Sequence, residues 1–312
     1  MITVFIMDPM NTDNPSLAVR FRGVRGSIPS PGKETARYGG NTSCVEVRCG
    51  GHILILDAGS GIRALGNELA TEFGSQPLCA DILISHTHWD HIQGFPFFAP
   101  AYSNRNCIRV WQSNLIDSNL PAALRGQMQS LHFPVSLDQM RGITSFEQLN
   151  GEPTLVGPYS IRSIALNHPG GCAGFRIETA FGSIAYLPDH EPVPRGSGID
   201  SEQEKLIDFV REVDLLILDT QYTAEEYRRH VGWGHGCLPD SVALANDAGV
   251  GRLALFHHDP AHRDYHLDLM VEAGRKLSSA GVEIYAAKEM ETIFLTGFPL
   301  CSTGPQTLVA AR

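Results

Sequence analysis

The sequence predicts an α/β protein in which two mixed β-sheets pack face to face with helices outside. Three observations lead there. Short β-branched apolar runs bounded by turn residues recur from Leu17 onward. Helical patterns alternate with these runs instead of forming a block of their own. No short-period repeat, low-complexity tract or obvious linker divides the 312 residues, so the chain reads as one unit, 1–312.

The elements follow in order. Residues 17–23 (LAVRFRG), 43–48 (SCVEVR), 53–57 (ILILD) and 81–85 (DILIS) read as strands, with turn residues beside them. Residues 62–73, between the last two, carry the helical period. Residues 107–111 form another strand. An irregular region with helical patches and Phe133-Pro134 follows, up to Asn150. The stretch 101–150 looks inserted and is read as a cap over a site. Strands return at 159–166, 172–179 and 182–187. Residues 215–219 and 253–257 read as buried strands, alternating with helices at 201–212, 239–248 and 262–280.

Composition excludes several classes. With 43% hydrophobic and 19% charged residues, the chain can bury a sizeable core, which argues against disorder. The net charge of −10 disfavours wrapping a long nucleic acid, because such binding needs Lys and Arg to neutralise phosphates. Seven cysteines, with no CxxC pair, fit a reduced cytoplasmic setting. The opening MITVFIMDPMNTDNP lacks a basic n-region and is not read as a signal peptide. No uncharged apolar stretch approaches the roughly 20 residues of a membrane span.

The chemistry concentrates in SHTHWDHIQGFP, 85–96. Three histidines and an aspartate fall in six positions directly after a strand. In extended chain, His86 and His88 point the same way and can grip one ion. If a helix follows, Asp90 and His91 swing toward a neighbouring position, so one segment serves two adjacent metals. Imidazoles and carboxylates suit Zn2+, with Mn2+, Fe2+ and Ni2+ as competitors.

This HxHxDH motif resembles the signature of the metallo-β-lactamase superfamily, and the resemblance runs along nearly the whole chain. It implies an αββα sandwich and a fixed order of strand-end ligands. His168 in IRSIALNHPGG and Asp189 in GSIAYLPDHE fill the next two places. In LALFHHDP, His257 and His258 compete for the last. The ribonuclease Z-like branch ends that strand Leu-x-Leu-x-His, which selects His257. The resemblance therefore implies one site of His86, His88 and His168 and a second of Asp90, His91 and His257, with Asp189 shared. Asp57 in LDAGSG resembles the family's ligand-orienting aspartate. Two such ions, about 3.5–4 Å apart, would activate water and stabilise charge.

One stretch narrows the substrate. GWGHGCLPDSVALANDAGVGRLALFHH, 232–258, is similar to the ribonuclease Z-like phosphodiesterase region. His235 takes the place of the histidine that protonates the leaving oxygen there, and Asp90 joins it as a catalytic candidate. Family members usually show His-Ser-Thr, whereas this chain has His235-Gly236-Cys237. The block GVRGSIPSPG…RYGGNTSCVEV also looks like the first hairpin of cyclic-phosphate-hydrolysing members, with Gly39, Gly40 and Asn41 turning near the metal edge. Between Glu191 and His235 stand five Lys/Arg against ten Asp/Glu, the wrong sign for a tRNA-gripping arm. The expectation is a dinuclear phosphodiesterase for a small phosphodiester, namely a cyclic nucleotide or cyclic phosphate. Tyr102, Trp111, Phe133 and Phe146 could cover a base, although such aromatics more often fill a core. A lactonase or thioesterase is the nearest rival, and a non-catalytic ligand-sensing module the second. Relatives are often dimers, so a homodimer is compatible.

Overall fold

The computed structural model describes residues 16–117, 119–192, 200–278 and 281–296. The opening residues 1–15, Ala280 and Cys301 lie outside them. Fourteen strands succeed one another among the described residues: β1 (Leu17–Gly23), β2 (Cys44–Cys49), β3 (His52–Leu56), β4 (Cys79–Leu83), β5 (Cys107–Ser113), β6 (Ile143–Leu149), β7 (Thr154–Val156), β8 (Tyr159–Leu166), β9 (Cys172–Thr179), β10 (Gly182–Leu187), β11 (Leu215–Asp219), β12 (Arg252–Phe256), β13 (Glu283–Ala286) and β14 (Thr292–Leu295). They form two seven-stranded sheets, ordered 14-1-2-3-4-5-6 and 13-12-11-10-9-8-7. β1 lies between β2 and β14, so the late strand β14 closes onto the first sheet.

The inner faces meet in one apolar layer, where Phe21, Leu54 and Leu56 face Phe175, Tyr186, Ile217 and Phe256. β3 to β6 are parallel, as are β10 to β13. Such strands are covered on both faces, which explains the near-continuous apolar runs LILD and LALF. Helix α1 (Ile62–Phe73) buries Ile62, Leu65 and Leu69 on the outer face of the first sheet. After α2 (Trp89–Ile92) and α3 (Leu120–Gln127), three helices cover the second sheet: α4 (Asp200–Val210), α6 (Leu238–Ala248) and α7 (Asp264–Leu277). Between α4 and α6 comes the single turn α5 (Ala224–Tyr227). No described helix is long and apolar enough to cross a membrane.

The segment 101–150 corrects the expectation of an inserted cap. It supplies β5, β6 and α3, and Ile108, Val110, Leu120, Leu124, Met128, Leu137 and Met140 bury with α1. Its mixture of 3-10 turns and short elements hides the periodicity that would have marked it as sandwich. Trp111 is buried, and Tyr102, Phe133 and Phe146 pack against the apolar clusters, so of the two uses open to these four aromatics, base cover or core, they serve as core.

The strand directions set the site. The chain leaves β3, β4, β8, β10, β11 and β12 at one edge of the sandwich and delivers there Asp57, the 85–91 motif, His168, Asp189, Asp219 and His257 in turn. Carboxyl ends of parallel strands are where open α/β sheets place ligands.

Candidate metal centre

The motif turns as its spacing requires. His88 is extended (φ −62°, ψ 151°) and caps α2, whose first turn brings Asp90 and His91 round. His86, Asp90, His91, His168, Asp189 and His257 are buried, while His88 is exposed. The donor atoms of His86, His88, His168 and Asp189 fall within 4.8 Å of one another, as do those of Asp90, His91, Asp189 and His257. Asp189 belongs to both groups. Its Oδ2 is 3.6 Å from His86 Nε2 and from His168 Nε2, and its Oδ1 is 3.0 Å from His91 Nε2 and 3.3 Å from His257 Nε2.

Hydrogen bonds on the far nitrogens aim these rings. His168 Nδ1 is 2.8 Å from the Gly234 carbonyl, and His91 Nδ1 is 2.7 Å from Asp57 Oδ2. Both partners only accept, so Nδ1 carries the proton and Nε2 presents its lone pair inward. His257 Nδ1 meets Gln221 Oε1 at 3.0 Å. Asp57 also accepts from Ser85 and from the Tyr186 hydroxyl. The ligand-orienting place given to Asp57 thus has a geometric counterpart.

Close approach has a backbone cost. Asp57, His257 and Ser27 adopt φ of 59°, 58° and 62°, unusual for residues with a Cβ and concentrated at functional sites. Ser27 N–H donates to Asp90 Oδ2 at 2.7 Å. A Cβ on Gly26 would come within 2.5 Å of His257 Nδ1, so only glycine fits. Gly39, Gly40 and Asn41 instead support this loop from behind: Asn41 O takes the Val24 and Arg25 N–H groups, and Gly39 O takes Arg25 Nε.

Electrostatics favour cation uptake. Burial, reinforced by the charge on His91, pushes His86 well below the usual imidazole range, and burial lowers His168 and His88 as well. His91 goes the other way, because Asp189, Asp90 and Asp57 outweigh its burial. Burial would raise Asp90 and Asp189, yet the facing histidines hold both well below the carboxylate range. His86 Nε2, His91 Nε2 and Asp189 Oδ1 are buried without a hydrogen-bond partner. Three such metal-ligating atoms converging among imidazoles and carboxylates fit a pair of bound cations, since buried polar atoms are costly unless something satisfies them.

His258 turns away: its Nε2 meets the Ala287 carbonyl at 2.8 Å, and burial drives its pKa down to about 3. His190 is also set aside, buried at a pKa of about 4 with Nδ1 accepting from Asn167 N. His235 stands beside the cluster, with Nδ1 3.9 Å from Asp189 Oδ2. Its partner is Asp219 Oδ2 at 2.9 Å, a residue that sequence reasoning missed. Burial alone would lower His235, but Asp219, followed by Asp189 and Asp90, raises it to about 9. Glu191 was missed as well. It accepts from the Gly232 and Gly234 N–H groups and the Tyr227 hydroxyl, tying down the loop that carries His235. The only local hint was position: Asp219 ends a buried strand and Glu191 lies two residues after Asp189.

A family model described as a β-lactamase superfamily domain matches residues 52–258. The chain belongs to the β-lactamase superfamily. Ribonuclease Z of Thermoplasma acidophilum is 23% identical, the match covering 88% of this chain and 95% of that one. The metallo-β-lactamase fold protein YhfI of Bacillus subtilis superposes with a TM-score of 0.63 at 21% identity, covering 90% of this chain and 100% of the other. A diphosphatase of the PhnP family gives a TM-score of 0.60 at 18% identity, covering 89% and 97%. This β-lactamase superfamily chain is thus a ribonuclease Z-like, metal-dependent hydrolase on an αββα sandwich.

Proposed function

We propose that the protein is a dinuclear phosphodiesterase of a small phosphodiester, a cyclic nucleotide or other cyclic phosphate, working as one unit across 1–312. His86, His88 and His168 would hold one cation, Asp90, His91 and His257 the other, with Asp189 common to both. Two divalent ions bound there, Zn2+ for so imidazole-rich a donor set, supply Lewis-acid charge and a water that ionises near neutral pH. The chain's own residues do the rest. Ser27 N–H and Gln221 fix Asp90 and His257. Asp219 engages Nδ1 of His235, leaving Nε2 to carry a proton. As the oxygen of the attacking water bonds to phosphorus and the P–O bond to the leaving group breaks, that proton passes to the departing alkoxide.

The observation that carries this reading is the His235–Asp219 pair at the edge of the His/Asp cluster. A histidine held in its protonated form suits a poor alkoxide leaving group. The relatives' own names, a ribonuclease and a diphosphatase, lend phosphorus chemistry further support. Ten acidic against five basic residues over 191–235 favour a small substrate over folded RNA. A homodimer and a reduced cytoplasmic setting belong to the same reading; the six described cysteines are free.

The test is a screen of the metal-loaded protein against cyclic mononucleotides, bis(p-nitrophenyl) phosphate, a precursor tRNA, a lactone and a thioester. Turnover of a cyclic phosphodiester without tRNA processing is expected. Lactone or thioester turnover with silence on every phosphodiester would overturn the reading.

A further inference from the structure

No described cysteine enters the His/Asp cluster, yet two of them meet at the other end of the first sheet. Cys79 opens β4 and Cys107 opens β5, and the parallel pairing of these strands sets the two residues abreast. Backbone bonds lock the start of both strands. Cys107 N–H donates to the Leu78 carbonyl at 2.8 Å, and Leu78 N–H donates to Asn106 Oδ1 at 3.0 Å. Register mates project to the same face, as the next pair shows, where Arg109 donates to Asp81 at 2.9 Å. The two thiols accordingly share a hydrogen bond. Cys107 Sγ also lies 3.6 Å from Thr144 Oγ1 in β6.

The pair is open to reagents. Cys79 is exposed and Cys107 partly so, whereas Cys44, Cys49, Cys172 and Cys237, the other described cysteines, are buried. Neighbouring strands run about 4.8 Å apart, inside the roughly 4.4–6.8 Å that a disulfide spans between Cα atoms. Between positions 79 and 107 lie His86, His88, Asp90 and His91, so a bridge here would tie the base of the HxHxDH segment. A bond this open to solvent is of the labile kind, and in a reducing compartment it forms only transiently.

We infer that Cys79 and Cys107 are a dithiol modification site, which a low-molecular-weight disulfide closes into a reversible bridge that staples the base of the HxHxDH segment. The exchange balances within the named partners. The Cys79 thiolate attacks one sulfur of the reagent, forming a mixed disulfide and expelling one thiolate, which takes up a proton. Cys107, once deprotonated, attacks Cys79 Sγ, and the second thiolate leaves and is protonated. The two cysteines lose two electrons and two protons, and the reagent disulfide becomes two thiols. Burial, followed by the neighbouring Cys107, holds the Cys79 thiol above its ordinary range, with Asp81 acting in the same direction and Arg109 against it. The thiolate is the nucleophile, so closure should quicken as pH rises through the thiol range.

Oxidised glutathione is the probe, applied to the metal-loaded full chain at about pH 9, near the ordinary thiol range. The intact mass should fall by two hydrogens, and non-reducing peptide mapping should join the peptides that hold Cys79 and Cys107. Cys79→Ser and Cys107→Ser each remove one partner, so each variant should instead keep a glutathionyl group on the remaining cysteine. The bridge should raise the thermal midpoint by on the order of 5–10 °C, because it closes a long loop, and tris(2-carboxyethyl)phosphine should abolish that gain. Lasting glutathionylation of the wild-type chain with no bridge, a bridge to another cysteine in place of this one, or no reaction at all overturns the proposal. A bridged chain that melts no higher overturns the stapling role.

Discussion

At the scale of single residues, the site divides into side chains that would hold cations and side chains that manage protons. Asp189 touches both halves, so Asp189→Ala should empty both sites, whereas His88→Ala should mainly empty the first. Elemental analysis of gently purified protein decides this. A wild-type chain carrying one ion at full occupancy would refute the dinuclear assignment. His235 lies outside the ligand series, so His235→Ala should retain metal and lower turnover by about 10²–10⁴. Nitrophenyl esters, whose leaving groups need little protonation, should suffer less. Equal losses on both substrate types would remove His235 from the acid role. Asp219 raises His235, which therefore keeps its proton to higher pH. Because an acid must be protonated, activity should fall as pH rises through that value. Asp219→Asn removes the charge, so this alkaline limb should move to lower pH; an unmoved limb would show that Asp219 does not set it. The missing hydroxyls of His235-Gly236-Cys237 matter less than the motif alone suggested, because the orienting partner comes from Asp219, the last residue of β11.

At the scale of elements, short loops anchored by buried polar groups do the positioning. Glu191 satisfies two backbone N–H groups of the 232–234 turn, and Gly234 in turn orients His168. Glu191→Ala should lower activity about 10- to 100-fold, as loss of a supporting partner usually does. Far-ultraviolet circular dichroism should be nearly unchanged, since α5 and the loop hold few residues. Wild-type activity in that variant would mean the turn holds its shape without the carboxylate. The sheet has its own anchor. Arg22 in β1 and Glu46 in β2 pair at 2.7 Å with side chains only 2% and 3% exposed. Removing one partner strands a buried charge, so Glu46→Ala should destabilise by about 3–5 kcal/mol in urea unfolding. A loss below about 1 kcal/mol would mean that solvent or Glu68, which also reaches Arg22, compensates.

At the scale of the whole molecule, the two sheets meet so that six strand ends bring distant residues into one place, where His86 Nε2, His91 Nε2 and Asp189 Oδ1 are buried without a hydrogen-bond partner, a need that bound cations would meet. Metal loading should therefore raise the melting temperature. At ligand a thousandfold over Kd the gain is about 4 kcal/mol, or on the order of 5–10 °C for a chain of this size. A thermal melt with and without chelator measures it, and identical curves would argue against a structural role for the ions. Much of this architecture was legible locally. β1, α1, β8, β9, β10 and β11 have the bounds that periodicity predicts, because each buries one face or both and the side-chain period follows from that. The clustering of the HxHxDH side chains was legible too, since the candidate ligands are neighbours in the chain. The sandwich character of 101–150 was not, because 3-10 turns carry no clean period. Nor were the partners of the site: Asp219 meets His235 over 16 residues, Gln221 meets His257 over 36 and Glu191 meets Gly234 over 43. The sequence by itself determined which residues are metal-philic, acidic or apolar, and which strands they follow. Only the tertiary structure decided which carboxylate faces which imidazole, and which two cysteines stand abreast. Those outcomes depend on strand order and burial, which are properties of packing across the whole chain and leave no local pattern to read.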